Sequence, residues 1–143
     1  MLHCLSERVG AELRAQGKQT RCVTLKLRYN DFETLTRSHT LRQAADTDRA
    51  IFEMGCELLD KAIERRAVLV RLIGIGVSNL VEGRQLNMFD PWVELVEQLN
   101  QAIDRIRDKY GFTAIESGCT LSLREVFPTE DGRYRLETPS LSR

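Results

Sequence analysis

Arg21-Cys22-Val23-Thr24-Leu25-Lys26-Leu27-Arg28-Tyr29 alternates residue by residue, with Val23, Leu25, Leu27 and Tyr29 on one side and Thr24, Lys26 and Arg28 on the other. In extended backbone successive side chains point to opposite faces, so this pattern predicts a strand that buries one face and wets the other. Asn30-Asp31 supplies turn residues, and a second β-rich run over 33–42, Glu-Thr-Leu-Thr-Arg-Ser-His-Thr-Leu-Arg, follows at once. So short a link predicts an antiparallel hairpin. Its wet face would carry Thr24, Lys26 and Arg28 beside Thr34, Thr36, Ser38 and Thr40.

Working outward, Leu5, Val9 and Leu13 recur at helical spacing before Gly17, which predicts a helix over about 2–16. After the hairpin, Asp46-Thr47-Asp48 offers an N-cap with acids suited to a helix N-terminus. Ile51, Met54, Leu58, Leu59 and Ala62 then trace one face of a helix ending near residue 65. Residues 68–81 read as a strand, apolar except for Arg71, Ser78 and Asn79. Gly74 and Gly76 within it suggest a bulge or the close approach of another backbone. The predicted fold class is α+β: a small antiparallel or mixed sheet built from 21–29, 33–42 and 68–81, with helices near 4–16 and 47–65 on one face. Leu25, Leu27, Leu58, Ile73 and Ile75 are its expected core.

Downstream, Asp90-Pro91 breaks the chain. A helix is expected over 92–110, with Val93, Val96, Leu99, Ile103 and Ile106 on one side and Gly111 as its stop. The tail holds two short β-like pieces, 120–123 and 134–136, separated by Pro128 and Asp131-Gly132. This divides the chain into a domain over 1–84, a linking peptide over 85–91 and a C-terminal extension over 92–143.

A chain of 143 residues is long enough to bury one core, and 42% hydrophobic with 29% charged residues places it among ordinary globular proteins. No apolar run approaches the roughly 20 residues that span a bilayer, and the start lacks a signal-peptide pattern, so a cytoplasmic protein without membrane association is expected. Cys4, Cys22, Cys56 and Cys119 are scattered, and only two histidines are present. The expectation is reduced thiols used as small apolar residues, with no metal and no cofactor. Enzyme chemistry finds little footing. Gly74-x-Gly76 lies inside a strand without a following helix, His3 and His39 are isolated, and Asp31 and Glu33 sit at a turn, where acids serve conformation. No catalytic residue is nominated.

Net charge is zero but unevenly placed: residues 1–45 hold eight Lys/Arg against four Asp/Glu, and residues 85–143 hold seven against ten. The positive excess falls on the first β-rich portion, where hydroxyls, strand amides and cations on one face would suit phosphate contacts. A solvated threonine-rich face gives the same pattern, since threonine favours strands. Residues 85–89, Gln85-Leu86-Asn87-Met88-Phe89, combine a glutamine, two aliphatics and an aromatic in a compact span. Such a span can dock a peptide into a partner's apolar pocket, although an isolated match is more often ordinary loop or core.

Val23-Thr-Leu-Lys-Leu-Arg-Tyr-Asn-Asp-Phe-Glu-Thr-Leu-Thr-Arg-Ser-His-Thr-Leu41 resembles the little-finger domain of Y-family DNA polymerases of the DNA polymerase IV type, the ImpB/MucB/SamB family. Arg71-Leu-Ile-Gly-Ile-Gly-Val-Ser78 resembles a later strand of that domain, and residues 85–89 resemble the QLxLF-type segment by which such polymerases bind the sliding clamp. Ala102-Ile-Asp-Arg-Ile-Arg-Asp-Lys-Tyr-Gly111 resembles the helix that follows in many bacterial members. The resemblance covers about residues 2–118.

It implies a four-stranded sheet with two helices on one face and the other face on DNA, in the service of translesion synthesis, DNA repair and the SOS response. Phosphate contacts would come from Lys26, Arg28, Thr36, Arg37, Ser38 and Arg71, and clamp contacts from Gln85, Leu86, Met88 and Phe89. Many members carry a basic residue where Gly76 stands. The resemblance also implies that the catalytic domains, with their metal-binding carboxylates, and the strand before the first helix lie outside this sequence. The sheet would then have an unprotected edge, to be covered by a homodimer partner or by a strand from 119–143. The implied partners are duplex or primer–template DNA and the sliding clamp. A module that binds the clamp without touching DNA is the alternative that zero net charge keeps open.

Overall fold

The computed structural model describes residues 1–65, 69–82 and 91–126, together with 129–130 and 133–134. The chain forms two compact units, residues 1–100 and 101–143.

The first unit begins with α1 (Leu2–Ala15), which Gly17 ends at a φ of +63°. β1 (Lys18–Tyr29) and β2 (Thr34–Ala45) form the expected antiparallel hairpin, α2 spans Asp48–Arg65, and β3 (Val70–Glu82) pairs antiparallel with β1. The sheet order is β2-β1-β3, an α+β fold. Alternation decides the layering. Val23, Leu25, Leu27 and Tyr29 are each at most 2% exposed, and they pack against Leu2, Leu13, Ile51, Leu58 and Ala62 from the two helices. Ile73 and Ile75 of β3 join that core half-buried. Both helices therefore cover one face of the sheet.

The helix pair is locked by charge. Arg14 of α1 donates to the Asp48 carboxylate (2.7 Å) and to the Asp46 carbonyl (2.7 Å), with the Arg14 side chain only 6% exposed. A β-carbon at Gly10 would fall within the Asp48 carboxylate, so glycine is what lets that acid approach α1. Thr47 caps α2, its hydroxyl accepting the Ala50 amide (3.4 Å).

Several expectations are corrected. The glycines of β3 mark no bulge: Gly74 and Gly76 pair regularly with Lys26 and Thr24, and the register slips instead between Arg28 and Tyr29, leaving Arg71 as the extra residue. β2 runs to Ala45, with a second irregularity between Thr20 and Cys22. There the buried Thr20 hydroxyl accepts the Cys22 amide (3.2 Å) and donates to the Ser78 carbonyl (2.8 Å). The sheet has three strands, and no segment from 119–143 joins it among the described residues, because β4 (Thr129–Glu130) and β5 (Arg133–Tyr134) pair with each other.

α3 (Pro91–Tyr110) matches the predicted helix, and Gly111, at φ +94°, ends it by donating to the Arg107 carbonyl (2.8 Å). Its apolar side is only partly covered: Val96 and Ile103 are half-buried, whereas Leu99 and Ile106 are exposed. In the second unit the Arg107 guanidinium lies 4.2 Å from the Phe112 ring centroid and donates to the Ile115 carbonyl (3.1 and 3.3 Å). The 120–123 piece is not extended. Residues Gly118–Thr120 form a 3-10 turn followed by the short α4 (Leu123–Val126), and the Thr120 hydroxyl donates back to the Ser117 carbonyl (2.8 Å). A local side-chain bond of this kind competes with strand formation and wins.

Candidate nucleic-acid interface

The sheet face opposite the helices is built by three strands whose register can be read directly. Thr24 sits opposite Ser38 on β2 and Gly76 on β3, Lys26 opposite Thr36 and Gly74, and Arg28 opposite Thr34 and Leu72. Opposed residues in an antiparallel ladder share a face. This places Lys26, Arg28, Thr36 and Ser38 together on the open side. Thr34, Thr36 and Ser38 form an exposed hydroxyl row along β2, while Thr24, Lys26 and Arg28 are half-buried in the central strand. Thr24 and Ser38 hydroxyls lie 2.8 Å apart in a cross-strand hydrogen bond.

On the β3 side the floor is bare. A β-carbon on Gly76 would meet nothing within 4 Å, and one on Gly74 would meet only Lys26 at 3.9 Å. A ligand backbone could therefore approach these strands closely. Hydroxyls, cations and accessible backbone, with no carboxylate on the central strand's open side, are the kinds of group that make phosphate contacts in nucleic-acid complexes, contacts that carry no sequence information.

Two nominated residues sit differently. Arg37 pairs with Leu25, between Leu35 and Leu41, both of which pack on the core. Its register position is on the helix-bearing side, and it is exposed there because β2 is the edge strand. The register thus separates Arg37 from the other candidates. Arg71, displaced by the β3 slip, reaches the hairpin link: its Cζ lies 4.8 Å from the centroid of the Phe32 ring, and Arg28 Cζ lies 5.3 Å from the same centroid. Sequence reasoning passed over Phe32. The available signal was an aromatic at the end of a turn, where glycine or asparagine is usual. Asp31, also at this turn, has a conformational task, its carboxylate accepting the Glu33 amide at 3.2 Å. Gln85, Leu86, Met88 and Phe89 lie outside the described residues.

A three-stranded antiparallel sheet, with helices on one face and a hydroxyl-and-cation surface on the other, defines a small α+β module. Residues 1–88 match the impB/mucB/samB family C-terminal domain, and the chain belongs to that family. It is similar to DNA polymerase IV of Dehalococcoides mccartyi, 39% identical over 126 residues that cover 88% of this chain and 32% of the relative. DNA polymerase IV 1 of Mesorhizobium japonicum is 37% identical over 134 residues, 91% of this chain and 30% of the relative. DNA polymerase IV of Brucella melitensis is 34% identical over 142 residues, 97% of this chain and 32% of the relative. This last similarity reaches into the tail, beyond the 2–118 span that the motifs carried. The chain spans about a third of the length of these curated relatives.

Proposed function

We propose that this chain is the non-catalytic, DNA-gripping part of a translesion polymerase of the Y family, acting in DNA repair. The observation that supports it most is the shared open face, where Lys26 and Arg28 stand in register with Thr36 and Thr34 on the side of the sheet that carries no helix. Contacts of this type fix position on a duplex and carry no sequence information. Lys26, Arg28, Thr36, Ser38 and Arg71 make the phosphate contacts, and Arg37 adds one only by reaching around the edge of β2. The partner is duplex or primer–template DNA, bound weakly and with a shallow salt dependence, since the number of cations is small. A cytoplasmic location fits this role, and no described helix is long and apolar enough to cross a membrane.

The same protein docks on a sliding clamp through Gln85, Leu86, Met88 and Phe89, which follow β3 directly in the sequence. Buried apolar anchors of this sort each contribute about 2 kcal/mol or more to an interface. Fluorescence anisotropy with a primer–template duplex at low salt tests the first half, and a pull-down with the clamp tests the second. Clamp binding without any duplex binding would favour the alternative, a pure protein-interaction module, to which the zero net charge of the chain also points.

A further inference from the structure

The link between β1 and β2 closes on an unexpected residue. The Tyr29 amide donates to the Glu33 carbonyl (2.9 Å) and the Phe32 amide to the Tyr29 carbonyl (3.0 Å), which leaves a three-residue loop ending at Phe32. Such loops end on a left-handed residue, a slot that glycine or asparagine fills at least cost. Phe32 holds it at φ +67° with 57% of its surface exposed. Neither backbone preference nor burial accounts for a large aromatic there, and strain kept in this way concentrates at functional sites. What the ring does touch is two guanidiniums, Arg28 from β1 at 5.3 Å and Arg71 from the slipped start of β3 at 4.8 Å. The link is also tied to β3, the Asn30 amide donating to the Leu69 carbonyl (3.0 Å), so ring and both cations sit on one braced corner.

We infer that Phe32 is a positioning residue, whose ring holds Arg28 and Arg71 side by side as a fork for the phosphodiester backbone of nucleic acid. Two like charges repel, and the negative face of one shared aromatic ring offsets that repulsion. The Nε of Arg28 is buried, so the phosphate contact of this arginine falls to the two terminal nitrogens of its guanidinium. Guanidinium is the group for this task, because its planar donors meet phosphate oxygens in pairs while its face stays against the ring. The inference rests on the open face being a nucleic-acid surface.

The test uses the full chain and a fluorescein-labelled duplex in anisotropy titrations, with nitrogen-15 NMR of the arginine Nε–H groups in the free protein. The Arg28 and Arg71 signals are expected upfield in the parent and at ordinary positions in Phe32→Leu. Phe32→Leu should weaken duplex binding by about fivefold, the loss of roughly one exposed cation–π contact, and Phe32→Tyr should keep it. Adding Arg71→Ala to Phe32→Leu should cost less than the two single losses combined, as expected of groups acting as one unit. Phe32→Gly relieves the backbone, so it should melt no lower than the parent while binding as poorly as Phe32→Leu. Parent-like binding by Phe32→Leu, alongside weakened binding by Lys26→Ala, would overturn the inference and leave the DNA reading standing. Arginine signals that are not shifted in the parent would overturn it as well. A parent that ignores the duplex altogether would sink the DNA reading itself.

Discussion

The two faces of β1 are written by the same nine residues and obey different rules. On the helix-bearing side Val23, Leu25, Leu27 and Tyr29 are almost wholly removed from water. On the other, Thr24, Lys26 and Arg28 stay half-buried beside two glycines and a row of exposed hydroxyls. Folding decides the first face, since its apolar side chains lie in core clusters that draw on both helices. It does not decide the second, where glycines in mid-strand weaken the sheet and the cations lie in no core. Stability and binding should therefore be separable by face.

The sharpest break in that separation is expected at Leu27, which has no exposed surface. Leu27→Ala should destabilise the protein by about 2–5 kcal/mol through lost burial and a cavity. Urea denaturation measures it, and a loss under about 1 kcal/mol would mean that the helices do not cover this face as described. Next comes the charged lock between the helices. Asp48→Ala leaves Arg14 buried without its carboxylate and should cost roughly 2–4 kcal/mol. Gly10→Ala should produce part of the same loss by pushing that carboxylate away, and a double variant should be less than additive. Neither change should alter duplex affinity in protein that remains folded.

On the open face the order reverses. Replacing both Lys26 and Arg28, half-buried but outside the core, by Ala should cost about 1 kcal/mol, well short of the Leu27 loss. Binding to every duplex should weaken alike, with the slope of log affinity against log salt shallower by about 1.8, the amount for two phosphate contacts. Affinity lost for one sequence only would show that this face reads bases.

How far these faces were legible in the sequence follows from the same contrast. Period two in 21–29, the spacing of Ile51, Leu58 and Ala62, and the short turn at Asn30 gave strand, helix and hairpin, because burial of one face imposes a repeat that survives in the letters. Register did not show. The slip that frees Arg71 depends on how β3 meets the end of β1, and nothing in the 68–81 pattern distinguishes it from the bulge expected at the glycines. Arg37 was legible by alternation, since Leu35 and Leu41 flank it on the core side, but its nomination followed the family resemblance instead. Leu99 and Ile106 match a helical stripe yet remain exposed, since periodicity records an apolar face and not what covers it. Phe32 was missed because the turn reading stopped at Asn30 and Asp31, one residue short of the strained position.

The smallest expected effect is also a gain. Gly76 lies on the open face opposite Thr24, and a β-carbon built there meets nothing within 4 Å. Gly76→Lys should therefore fit without displacing any neighbour. In mid-strand it removes a flexible glycine, so stability should rise by about 0.5 kcal/mol or stay level. The new ammonium would stand across the ladder from the Thr24–Ser38 pair, two positions along β3 from Gly74 and so on the same face as Lys26. If phosphates run along this face, one added contact should steepen the salt slope by about 0.9 and tighten duplex binding severalfold at low salt. Unchanged affinity and slope in a variant that melts like the parent would place the DNA path elsewhere, on the β2 side of the sheet. A lysine at an exposed neutral residue of the helix-bearing layer, such as Ala15 of α1, adds the same single charge and serves as the control. It should alter binding only through general charge, and a larger gain there than at Gly76 would mean that the protein grips DNA with the face covered by its helices.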